Sequence, residues 1–278
     1  MQAKIKRYLL WCTIGAFLML IGCQTVQTTR GGEVGVDRPQ KMSVFTPSAE
    51  QVDAVARQQY LQVAQAADKA GALNRDPTQT ERVRRIAQRL IPHTAVFRDD
   101  AVRWQWQVNV LTSDEVNAWC MPGGKIAVYT GLIEQLKITD DELAAVMGHE
   151  IAHALREHAR ERMGRQQATA VGSALGSAAL EIFTGVRLGE LGDAFAQAMF
   201  VLPNSRENEQ EADRIGVELA ARAGYDPRAA VSLWQKMAAG GGGQPPQWLS
   251  THPSHETRIR DLQDYSQRVL PLYEKAKQ

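Results

Sequence analysis

The chain is poor in cysteine, in aromatic residues and in net charge. Three cysteines in 278 residues cannot staple a disulfide scaffold. Lys and Arg number 32 against 31 Asp and Glu, for a formal net charge of +1 with no basic block. That balance argues against nucleic acid as the main partner. Only one segment is apolar enough to enter a bilayer, which excludes a polytopic membrane protein. No repeat of 20–50 residues is visible, so no helical-repeat module is expected. What is present is ordinary globular composition, 44% hydrophobic, and enough length for one large domain or two small ones.

The amino terminus reads as an export signal. Lys4, Lys6 and Arg7 precede an uncharged run from Tyr8 to Gly22, too short for a spanning helix. The run ends Leu20-Ile21-Gly22-Cys23, which resembles the bacterial lipobox. That resemblance implies cleavage before Cys23, lipidation of its thiol and amine, and residues 1–22 as the signal. Gln24 follows the cysteine, where Asp would imply inner-membrane retention. The expected location is therefore the outer membrane of a Gram-negative cell, facing the periplasm. An uncleaved anchor with an incidental cysteine is the competing reading. Residues 23–47, rich in Thr, Gly, Gln and Pro, read as a flexible tether. Cys120 is then the one remaining thiol, expected to be buried and inert.

Residues 48–278 read as one domain of class α+β, mainly α. Ser48 with Gln51 forms a capping-box pattern. A second helix fits Pro77 to Leu90, stopped by Pro92. Residues 102–111 alternate apolar and polar, the pattern of a half-buried strand. Trp104 and Trp106 within it read as core. Pro122-Gly123-Gly124 turns the chain into a short strand from Lys125 to Thr130. A long helix is expected from Thr139 or Asp140 to about Met163. Residues 166–200, rich in Ala and Gly, suggest closely packed helices and a mobile cover over a site. Further helices fit Ser205 to Ala223, Pro227 to Ala238 and Glu256 to about Lys275, with a break at Gly240 to Gly243 and Pro245-Pro246.

His149-Glu150-Ile151-Ala152-His153 is the motif HExxH. Residues four apart share a helix face, so His149 and His153 can point at one metal ion. Glu150 is then placed to take a proton from water at the metal. Two capped or surface histidines on an ordinary amphipathic helix are the alternative. A catalytic zinc needs a third protein ligand. Glu207, Glu209, Glu211 and Asp213 offer one on a later helix, where Glu209 and Asp213 share a face. Glu209 could bind the metal while Asp213 accepts a hydrogen bond from a ligand imidazole. The acids alone do not say which is the ligand, and a solvated acidic face would look the same. His158 falls about 140° round a continuous helix from His153 and is read as packing or surface. His93, in a loop near Pro92, shows no partner in sequence, and His255, close to His252, is read as exposed.

Four stretches in order resemble the HtpX-like and CAAX-prenyl-endopeptidase-like gluzincin metallopeptidases. They are the HExxH motif; Glu209-Gln210-Glu211-Ala212-Asp213-Arg214-Ile215-Gly216; the run Val116 to Leu132 containing Asn117-Ala118 and Pro122-Gly123-Gly124; and Thr251-His252-Pro253 followed by Arg258. The export signal suggests the periplasmic lipoprotein branch of OMA-, LoiP- and BepA-like proteins. The resemblance covers about residues 50–270. It implies a zincin-type domain with a small sheet beside the HExxH helix, and one zinc ion per chain. Glu209 is implied as third ligand and Asp213 as its supporting acid. Hydrolysis passes through a tetrahedral oxyanion, for which His252 is the candidate donor with Arg258 or Arg206 behind it; the resemblance implies a second role for it as a plug that closes the site, and a solvent-facing His before a Pro turn is the alternative. Asn117 and Ala118 are implied on an edge strand to which extended substrate adds. The implied activity is zinc endopeptidase action on misfolded or misassembled envelope proteins. A periplasmic holdase that keeps the fold but seldom cleaves is the rival, and the intact Glu150 speaks against it.

Overall fold

The computed structural model describes residues 24–174, 188–239, 246–253 and 256–278. The export signal, Cys23, the glycine break, His255 and residues 175–187 of the Ala/Gly-rich stretch lie outside the described residues. The chain opens with a hairpin, β1 (Gln24–Val26) against β2 (Gln40–Met42). Helices α1 (Ala49–Lys69) and α2 (Pro77–Leu90) follow. Next come strands β3 (Gln107–Leu111), β4 (Ala118–Met121) and β5 (Lys125–Tyr129), then the short α3 (Thr130–Gln135). The HExxH motif lies on α4 (Asp140–Leu155), followed by α5 (His158–Ala174) and α6 (Leu188–Phe200). The rest is α7 (Arg206–Arg222), α8 (Ala229–Ala239), α9 (Gln247–Thr251) and α10 (Glu256–Ala276).

Helix α4 is the axis of the domain. Thr139 and Glu142 close a capping box at its start, and Asp140, Asp141 and Glu142 suit the positive helix end. Every residue from Glu142 to Leu155 is buried. A helix enclosed on all sides is an interior helix; α7, β4, α8 and α2 surround this one. The three-stranded sheet runs β3-β5-β4, with β3 parallel and β4 antiparallel to β5. Strand β4 is thus an edge, and it is the strand packed beside α4. The β4–β5 turn needs glycine: Gly124 has φ +79°, and a Cβ there would lie 2.6 Å from the Trp106 ring.

Helices α4 and α7 cross with only backbone between them. A Cβ on Gly148 would sit 2.8 Å from the Gly216 carbonyl oxygen, and one on Gly216 would sit 2.8 Å from the His149 nitrogen. The two glycines let the helices approach until groups on α7 reach the histidines of α4.

Three elements differ from the sequence reading. The strand begins at Gln107, not at residue 102. Before it the chain forms a 3-10 turn, where the Trp104 indole donates to Asp100 and the Trp106 indole to the Ala101 carbonyl. Such local bonds compete with the ladder. Both indoles remain partly buried against the core, stacked on each other. The long helix does not run on to Met163: it stops at Leu155, with Glu157 at φ +51°, and α5 starts afresh at His158. Finally, much of the stretch expected to be a flexible tether lies down on the domain. Val34, Val36, Gln40 and Met42 are buried, each apolar one worth roughly 1.5–3 kcal/mol. Gln40 Nε2 donates to the Arg156 carbonyl at 2.9 Å. Arg38 forms ion pairs with Glu161 and Glu211.

Helix α2 runs from Pro77 to Leu90 as expected, capped by Asp76. Cys120 is buried and free, and burial raises its thiol far above the usual range. No described helix is long and apolar enough to cross a membrane.

Candidate metal centre

One face of α4 gathers the chemistry. Nitrogens of His149, His153 and His252 and a carboxylate oxygen of Glu209 lie within 4.8 Å of one another, all four residues buried. His153 Nε2 is 3.0 Å from His149 Nε2. Glu209 oxygens are 3.6 Å from His149 Nε2 and 3.4 Å from His153 Nε2. His252 Nδ1 is 3.2 Å from His149 Nε2 and 3.0 Å from Glu209 Oε1.

The outer bonds fix which ring nitrogens carry protons. Asp213 Oδ1, 3.0 Å from His149 Nδ1, can only accept, so Nδ1 is the N–H and Nε2 presents a lone pair. Glu211 Oε2 accepts from His158 Nε2, 3.1 Å away. The Nδ1 of His158 then accepts from His153 Nδ1 at 2.8 Å, leaving a lone pair on His153 Nε2. Burial pushes His153 and His158 well below the ordinary imidazole range, which keeps both neutral. Two lone pairs thus face each other at 3.0 Å beside a carboxylate. That arrangement repels itself unless a cation sits among the donors. Two imidazoles and a carboxylate are a set that suits zinc.

Arg258, on α10, locks the acids. Its Nε and Nη2 donate to the two oxygens of Asp213 at 2.5 and 2.8 Å, and Nη1 lies 2.6 Å from Glu209 Oε2. The guanidinium stacks on Trp234 with its carbon 3.8 Å from the ring centre. Burial pushes the two carboxyls up. Arg258 outweighs it at Asp213, and His252 with Arg258 outweighs it at Glu209, so both stay ionised. Arg206, the other arginine considered, is exposed at the start of α7.

Glu150 is buried beside the donors. The Trp248 indole donates to its Oε1 at 2.7 Å, and His252 Nε2 stands 3.4 Å from the same oxygen. Trp248 and His252 share α9 and its end, their rings stacked 4.4 Å apart. A cleft of about 380 Å³ opens in front, lined by Asn117, Ala118, Trp119, Glu150, His153 and Phe200 among others.

The sequence reading placed His149, Glu150, His153, Glu209, Asp213, His252 and Arg258 in one site, and the fold brings all seven together. Asn117 and Ala118 line the cleft along edge strand β4. Four acids that looked alike separate cleanly: Glu207 is exposed, Glu209 faces the donors, Glu211 holds His158, and Asp213 holds His149. His158 and Trp248, which contact the site through His153 and Glu150, were not expected there. The His158 reading assumed a continuous helix; the break at Glu157 turns its ring onto His153. The clue to Trp248 was its spacing of four residues from His252. Replacing His158 with Ala should weaken zinc binding about 10–100-fold, because His153 loses the acceptor that orients it. Competition against a chelator of known affinity measures this.

Comparison with known proteins agrees. The sequence model of peptidase family M48 matches residues 77–266. The chain belongs to peptidase family M48. Among curated M48 relatives, the mitochondrial metalloendopeptidase OMA1 of Schizosaccharomyces pombe is 36% identical over 163 residues, 58% of this chain and 47% of its own. OMA1 of Arabidopsis thaliana is 39% identical over 157 residues, 56% of this chain and 31% of its own. The beta-barrel assembly-enhancing protease of Escherichia coli K12 is 31% identical over 212 residues, 71% of this chain and 41% of its own. The match thus spans less than half the length of these relatives. A mostly helical chain with a small sheet fits the zincin-type M48 domain, and the donor set fits the zinc that M48 metallopeptidases use.

Proposed function

We propose that the protein is a zinc endopeptidase of envelope quality control, held closed at rest by His252. The observation that carries the reading is the convergence of His149, His153 and Glu209 beside Glu150, at the floor of a cleft edged by β4. Zinc, when bound, supplies Lewis-acid polarisation of the substrate carbonyl and makes water nucleophilic at neutral pH. His149, His153 and Glu209 would hold the ion, and Asp213 and Arg258 orient His149 and Glu209. Glu150 accepts the proton of the attacking water and passes it to the leaving amine. Strand β4, free on one side, receives extended substrate at Asn117 and Ala118.

His252 Nδ1 stands among the donors rather than at a distance from them. A catalytic zinc needs an open position, which the His252 imidazole would occupy. This favours the plug over the oxyanion donor as the resting role of His252. It also gives physical content to the rival reading, an assembly factor with self-inhibited cleavage. The Escherichia coli relative is named a beta-barrel assembly-enhancing protease. That name and the lipobox-like amino terminus support polypeptide substrates in the envelope and a lipid anchor at Cys23 on the outer membrane.

The test is casein cleavage by the parent and by His252→Ala, each with and without a chelator. His252→Ala should raise the rate several-fold, and chelation should abolish cleavage in both until zinc is restored. A fall in rate with zinc retained would return His252 to the oxyanion role. Chelator-resistant cleavage would sink the metallopeptidase reading.

A further inference from the structure

Among the described residues, most buried arginines have carboxylate partners. Arg156 pairs with Glu211, and Arg258 with Asp213 and Glu209. Arg162, on α5, does not. The residue is 7% exposed, and its Nε donates to the Ala198 carbonyl near the end of α6 at 2.8 Å. Its Nη1 is buried with no hydrogen-bond partner. A guanidinium carries five N–H donors, and one of them is engaged here. Burial pulls the group down to about 10, with Glu209 opposing the fall, so it remains a cation at neutral pH.

Position gives this orphan charge a use. Arg162 lines the cleft that holds Glu150 and His153, and it also lines a neighbouring groove beside Arg165, Leu202 and Asn204. It stands where the two spaces meet, so a chain lying in the cleft and continuing into the groove passes it. The fields of Glu209, Glu150 and Glu161 reach the guanidinium without an ion pair to any of them among the described residues, and the nearby walls Trp119, Met199 and Phe200 are apolar. A substrate carboxylate does, and a guanidinium fork receives one through two parallel bonds.

We propose that Arg162 forms an anion subsite of the cleft that selects substrates presenting a carboxylate beside the cleaved bond. The carboxylate comes from an Asp or Glu side chain or from the substrate's own carboxyl terminus. This rests on the peptidase reading, deepening it to a substrate class, and it is testable without catalysis.

The probe is a set of labelled heptapeptides that differ only in Glu or Gln at one position, each made as free acid and as amide. Binding is read by fluorescence anisotropy on the zinc-loaded Glu150→Gln variant, and cleavage on the parent. A Glu over Gln preference of about tenfold at one position identifies a side-chain carboxylate; the same preference for acid over amide identifies the terminus. Adding Arg162→Gln should erase the preference, and adding Arg162→Lys should retain part of it. The Lys variant decides if the Gln variant does not fold. Equal binding within each pair, no binding by any peptide, or a preference that survives Arg162→Gln at unchanged melting temperature overturns the subsite. Discrimination without cleavage by either the parent or His252→Ala keeps it and sinks the peptidase reading; cleavage without discrimination does the reverse.

Discussion

Replacing Glu150 with Gln should lower casein cleavage by about 10²–10⁴-fold and leave zinc content unchanged. The amide fills the same volume, and its oxygen can still accept from the Trp248 indole that holds Glu150 Oε1 at 2.7 Å. None of His149, His153 and Glu209 is altered, so the ion keeps its protein donors. What is lost is the ability to take a proton from water and return it to the leaving amine. Metal analysis and initial rates on the same preparations check this. Loss of zinc together with activity would make Glu150 a structural member of the centre. Cleavage at the parent's rate would mean that another base does the work.

The second large effect is expected where α4 and α7 touch through their backbones. Helix propensity alone says that Gly216→Ala should stabilise α7, by about 1 kcal/mol. Packing says the opposite, and packing wins here. The new methyl would lie 2.8 Å from the His149 nitrogen and 3.0 Å from its Cα. Both are backbone atoms of a buried helix, which no rotamer change can clear. The helices must separate, at a cost of about 1–3 kcal/mol. Separation carries Glu209 and Asp213 away from His149 and His153, so zinc affinity should fall by at least about tenfold. Thermal melts with zinc and with chelator distinguish the two parts: Gly216→Ala should lower the melting temperature in both, and more with zinc. An unchanged melting temperature would show that the crossing has slack.

Much of this site was legible because its signals are local. HExxH needs only a helical turn to bring His149 and His153 together, and α4 supplies it. Helix α2 was legible to both ends because Pro77 and Pro92 punctuate it. What was not legible depends on contacts distant in sequence. Whether Glu207, Glu209, Glu211 or Asp213 faces the metal is decided by how α7 rolls against α4, which the Gly148–Gly216 contact sets. The role of His158 turns on one residue, Glu157, leaving the helical region. No turn signal in the sequence marks that break; ion pairs from Glu157 to Arg98 and Arg160 hold it. The tether reading failed for a similar reason. A segment rich in Thr, Gly and Pro has little structure of its own, yet buried Val34, Val36 and Met42 give it one on the domain.

That docked segment has a thermodynamic corollary. From Arg38 an unbroken line of polar contacts runs through Glu211 and His158 to His153. Whatever sharpens the orientation of His153 also sharpens the far end of the line, because coupling between two sites is reciprocal. Metal uptake and the seating of the amino-terminal segment are therefore expected to be linked, so chelation should speed amide exchange over residues 34–42.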